Sequence, residues 1–177
     1  MKTRDIYIIL MDTGSFVGKI VSHATRYKYS HVALSMDNTF DKLYSFGRKK
    51  INNFLNGGFV TYGKNSDFFK KFKNTKCLIY KLEIPVSKYN KLSKLLFDFE
   101  NESNKYKYDI KGLLIRYFFD KNITRENYYV CSMFVADMLQ KADIYTFNNK
   151  IEYVRPEDFN VIPNSIKIFE GLFISYR

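Results

Sequence analysis

The stretch "YYVCSMFVADML", residues 128–139, decides how the rest of the chain is read. An aromatic, extended segment gives way at Cys131 to a helical pattern. Phe134, Val135, Met138 and Leu139 follow it by three, four, seven and eight positions and so share its face. As the first residue of a helix running to about Leu139, Cys131 points at whatever that helix packs against and sits at the positive end of the helix dipole. Next to an imidazolium, such a position lowers a thiol pKa from about 8.5 to roughly 3.5–7.5, which predicts a thiolate at neutral pH and fast alkylation at about pH 6. Helix position alone fits an inert core thiol equally well, because cysteine is among the most buried residue types.

His31 changes that balance. In "SHVALSMD" (30–37) the alternation puts Val32, Leu34 and Met36 on one face and His31, Ala33 and Ser35 on the other. The histidine therefore stands outside the apolar layer, beside small residues that leave room for another group. An imidazole there is suited to take a thiol proton and later return it to a leaving group. The second histidine, His23, lies near the apolar stripe of a predicted helix and reads as a locally paired edge residue.

Outward from these two segments, "DIYIILM" (5–11) reads as a buried strand and Asp12-Thr13-Gly14-Ser15 as a turn with Ser15 as helix cap. Phe16, Ile20, Ala24 and Tyr27 then recur at helical spacing. "KLYSFGR" (42–48) pairs with the His31 strand as a hairpin, "NGGFVTYG" (56–63) holds a short strand among glycines, and "KCLIYKLEI" (76–84) is a strand with Cys77 buried in it. Pro85 starts a helix with Tyr89, Leu92, Leu95, Leu96 and Phe99 on its inner face. A polar connection leads to the apolar "IKGLLIRYFF" (110–119); after the cysteine helix come a turn at "RPEDF" (155–159) and a last strand within "SIKIFEGLFISYR" (165–177). Strands and helices do not alternate regularly, so the predicted class is α+β in one domain spanning residues 1–177.

Composition narrows the function classes. The chain is 46% hydrophobic and 18% aromatic, enough for a packed core, and its two cysteines make no disulfide framework. The net charge of +11 comes from lysines spread among acids and asparagines without long runs. Nucleic acid is therefore not an expected partner; a basic rim on a substrate cleft, or weak association with an anionic surface, fits better. The apolar part of the N-terminal segment is too short for a secretory or spanning segment, so a cytoplasmic location is expected. The scattered His and Cys residues lack zinc-ligand spacing and no glycine loop ends in Gly-Lys-Ser/Thr, so neither metal nor cofactor is expected. Spacing leaves the oligomeric state open.

"DIYIILMDTGSFVGKIVSHATRYKYSHVALSMD" (5–37) together with "YYVCSMFVADML" resembles the circularly permuted NlpC-type papain-like family, particularly its YiiX-like branch. That branch pairs a strand–helix–"SHV" segment with a later "CS-x-(F/L)V" helix, so the histidine precedes the cysteine, and the resemblance extends over nearly the whole chain. It implies an antiparallel sheet with packed helices, Cys131 as nucleophile and His31 as general base. Ser45, or Tyr44 if the register shifts by one, takes the place of the group that orients the imidazole. The family more often has an acid, amide or second histidine there; a serine orients without stabilising the imidazolium by charge. Tyr108 matches a tyrosine that helps hold the oxyanion. The implied activity is hydrolysis of an amide or peptide-type bond through an acyl-enzyme. Lipid acyl or ester chemistry of the lecithin:retinol acyltransferase type and a non-catalytic binding module on the same fold are the alternatives. The implied partner is a small-molecule, peptide or lipid substrate.

Overall fold

Strand β1 (Thr3–Asp12) runs through the middle of the molecule, and its residues from Ile6 to Met11 are all buried. That is why its sequence is a continuous apolar run instead of an alternating one: both faces are covered. The computed structural model describes residues 2–14, 18, 22–23, 26–50, 53–119 and 125–176. On one side β1 pairs with β2 (His31–Ser35), on the other with β5 (Lys76–Pro85) in an unbroken register from Thr3↔Pro85 to Asp12↔Lys76. With β3 (Leu43–Lys50), β4 (Asn53–Tyr62) and β8 (Ile166–Leu172), the strands form a six-stranded antiparallel sheet in the order β4-β3-β2-β1-β5-β8.

Residue parity along each strand decides which core it joins. Ile6, Ile8, Leu10, Val32, Leu34 and Phe46 face one layer, completed by helices α2 (Val86–Asn101) and α4 (Cys131–Lys141). Tyr7, Ile9, Met11, Ala33 and Leu43 face the other, closed by Phe40, by Phe69 of the short helix α1 (Asp67–Lys71) and by Phe173. Helix α3 (Ile110–Phe119) lies between α2 and α4 in sequence.

Helix α4 is the buried centre of the first layer, with every residue from Cys131 to Leu139 inside. Phe134 sits among Phe46, Phe59 and Phe99 at centroid distances of 5.3, 5.4 and 5.2 Å. Its buried polar groups are satisfied: Ser132 Oγ donates to the Val154 carbonyl at 2.6 Å, and Asp137 accepts from Lys141 at 2.7 Å and from the Tyr129 hydroxyl at 3.1 Å. The predicted inner face of α2 is the observed one, with Leu92, Leu96 and Phe99 buried and Tyr89 and Leu95 packed beside them.

Several boundaries differ from the sequence expectation. Pro85 still pairs with Thr3 and caps α2, so the helix begins one residue later, at Val86. The short strand expected within residues 56–63 is the end of a ten-residue strand, β4, paired along β3. "RPEDF" enters a 3-10 helix, Pro156–Val161, whose start is held by the Arg155 N–H donating to Asp158 Oδ2 at 2.8 Å. A parallel pair of two-residue strands, β6 (Lys107–Tyr108) and β7 (Tyr128–Tyr129), was not foreseen; it ties the approach to α3 to the approach to α4. In the first predicted helix, Gly18, Ser22 and His23 are helical, whereas Ser15, Phe16, Ile20 and Ala24 lie outside the described residues. Among the described residues no helix is long and apolar enough to cross a membrane.

Candidate active site

Cys131 is the first residue of α4, after Val130 in extended conformation (φ −108°, ψ 168°). Valine offers no side-chain acceptor, so the first helical N–H groups are uncapped by a side chain. The thiol is 5% exposed, and three backbone N–H groups bear on it: Val32, Ser132 and its own. The first of these ties the sulfur to strand β2, one residue from His31.

His31 opens β2, opposite Met11, and is partly buried. Its Nε2 lies 3.1 Å from Ser45 Oγ and 2.7 Å from the Tyr62 hydroxyl. The Ser45 proton is already committed, donated to the Val32 carbonyl at 2.7 Å, so Ser45 can only accept from the ring. With its proton on Nε2 the ring donates to this pair of hydroxyls, and Nδ1 keeps its lone pair. A Ser45 hydrogen bond also bears on the Tyr62 phenol, which joins the three side chains in one network anchored on a main-chain carbonyl. Gly47 lies under the ring, where an added Cβ would be 3.7 Å from Cε1.

Of the two candidates for the orienting position, Ser45 is the one at the imidazole. Tyr44 points to the opposite face, into the first core layer, with Lys42 Nζ 5.3 Å from its ring centroid. Tyr62 was not foreseen from the sequence. It fills the space beside His31 that small neighbours suggested was open, and its ring is stacked on Phe68 at 5.1 Å. Tyr108 packs its Cβ over Gly57, where any side chain would collide with it (2.6 Å), and Gly57 pairs with Arg48. Cys77 is fully buried in β5, in the second core layer with Met11 and Ala33, and burial pushes its thiol up to about 12.

The electrostatics reverse one sequence expectation. Burial pushes the Cys131 thiol up to about 11, outweighing the three N–H groups that favour the thiolate. Burial, with a smaller contribution from the Arg48 charge, brings His31 down to about 4. Burial likewise raises the Tyr62 phenol. The resting site is therefore a neutral thiol and a neutral imidazole, where helix position had predicted a thiolate. Desolvation by α4 and the sheet is the cause.

A second polar cluster flanks the start of α4. Asp109, 1% exposed, accepts from Arg116 Nη1 at 3.2 Å, Arg125 Nη1 at 3.1 Å and the Gly112 N–H at 3.0 Å. Among the described residues no group of three or more His, Cys, Asp or Glu side chains is placed to hold a metal ion.

No family model matches the chain, and no curated protein matches it.

Proposed function

We propose that the protein is a cysteine hydrolase of the circularly permuted NlpC-type papain-like kind, acting on an amide or peptide-type bond. The observation that carries this reading is the His31–Ser45–Tyr62 network. With the proton on Nε2 it leaves Nδ1 as the ring's proton acceptor, while the Cys131 thiol is held one residue away along β2.

Because both groups rest neutral, the thiol proton passes to Nδ1 as sulfur attacks the acyl carbon, without a preformed ion pair. The three backbone N–H groups at the sulfur favour its developing charge. The uncapped first turn of α4 supplies N–H donors for the oxyanion, and the family resemblance gives Tyr108 as a further hydroxyl donor. The imidazolium then gives its proton to the leaving amine, and water resolves the acyl-enzyme with His31 again as base. Ser45 and Tyr62 hold the ring but add no negative charge. The burial that raises the thiol favours a second reading, a binding module on this fold that does no chemistry.

An electrophilic acyl probe decides between them. The expected result is covalent labelling of Cys131, with hydrolysis of activated amides or esters that is lost in Cys131→Ala and in His31→Ala. Turnover that survives Cys131→Ala removes the enzyme reading. A folded wild-type protein that never labels leaves the binding module.

A further inference from the structure

Asp109 is a single buried carboxylate between two guanidiniums, so among the described residues these three groups sum to one positive charge. The excess falls on the Arg116 side. Arg116 is 7% exposed, its Nη1 is engaged by Asp109, and its Nη2 is buried with no hydrogen-bond partner among the described residues. A buried guanidinium donor left unmatched is costly, and folded chains rarely keep one without a use for it. Arg116 forms part of the wall of a small open cleft, together with Leu113, Val130, Ser132, Glu152 and Arg155. Glu152 lines the same cleft, and Arg155 there reaches Glu157 at 4.0 Å.

A cation would face two arginines there against the single carboxylate of Glu152, and an apolar group would leave Nη2 unmatched. We infer that this cleft binds a compact anionic group, a carboxylate or a phosphate, through Arg116 with Arg155 at its rim. The planar guanidinium suits both oxyanions, and Leu113 and Val130 give attached carbons an apolar wall. Val130 and Ser132 are the neighbours of Cys131 in the chain, so the cleft opens beside the helix start that carries the thiol. Anion binding stands by itself; its extension, that the substrate is an acyl compound bearing an acidic group, rests on the reading proposed above.

The test is calorimetric titration of the intact protein with inorganic phosphate and with acetate at fixed ionic strength, repeated on Cys131→Ala. The expected result is saturable binding of at least one anion, equal in wild type and Cys131→Ala. It should weaken about tenfold or more in Arg155→Glu, a half-exposed position that leaves the buried pair intact, and in Arg116→Lys, which keeps charge but loses the fork. Saturation by phosphate alone assigns a phosphoester, and by acetate a carboxylate; either supports the site. No saturation with either anion, or affinities unchanged in both variants, overturns it. Turnover lost with binding kept leaves the anion site standing; binding absent with turnover intact removes it and spares the hydrolase.

Discussion

The Tyr62 hydroxyl stands 2.7 Å from His31 Nε2, closer than Ser45 at 3.1 Å. The phenol belongs to β4 and the imidazole to β2, with β3 and its Ser45 between them. Orientation of the ring is thus shared by three adjacent strands.

Tyr62→Phe removes one hydrogen bond from the ring and keeps the stack on Phe68. A bond of about 1–1.5 kcal/mol corresponds to about a tenfold loss. Turnover of an activated ester should fall by about that factor in kcat, with KM unchanged and thermal stability nearly so. Steady-state kinetics beside a melting curve check it; an unchanged kcat would make Tyr62 a packing residue only.

With the thiol pushed up to about 11, its thiolate fraction at neutral pH is small. Alkylation of Cys131 by iodoacetamide should therefore climb about tenfold per pH unit from pH 7 towards 10, with no plateau in the acid range. Cys77, fully buried, should stay unlabelled in the folded protein. Mass spectrometry of labelled peptides reads both rates. A plateau below pH 7 would reveal a preformed ion pair.

His31 titrates at about 4 in the folded chain against 6.5 for an unperturbed histidine, so the unfolded chain binds the extra proton first. The stability it contributes is whole above about pH 6.5 and is lost as pH falls through the folded value, up to about 3 kcal/mol. Denaturant melts at pH 7 and pH 4 should show a smaller acid loss in His31→Gln than in wild type. Equal losses would place the acid sensitivity elsewhere.

Gly112 sits in α3, where alanine would ordinarily gain about 1 kcal/mol of helix propensity. Here a Cβ would lie 1.9 Å from Asp109 Oδ2, the atom that holds Arg116. Displacing a buried carboxylate from its cation costs about 3–5 kcal/mol, so the clash outweighs the propensity. Gly112→Ala should unfold at clearly lower denaturant; a stabilised variant would show that Asp109 can move aside.

Much of this was legible in the chain because it is periodic. The run at β1, the alternation at His31 and the three–four spacing after Cys131 each report a burial pattern, and each element appears where its pattern lies. Ser45 was reachable too, since a hairpin's register follows from its alternation. Tyr62 was not: it ends a glycine-rich strand whose pairing with β3 no spacing announces. The direction of the thiol shift was hidden for another reason. A helix start advertises its dipole in the sequence, but the desolvation that outweighs it comes from α4 being enclosed on all sides. Asp109 immediately precedes α3, which carries Arg116, whereas Arg125 joins them from the β7 side, where β6 and β7 meet over two residues each.

The order of the strands also sets a timetable for synthesis. A ribosome releases the imidazole and both hydroxyls of the network by Tyr62, and the sulfur follows only with Cys131. The flank of β5 stays unzipped until β8 arrives, later still. A nascent chain halted between Cys131 and β8 already carries its nucleophile yet displays a raw sheet margin, so in this polypeptide the reactive group precedes the ripened sheet.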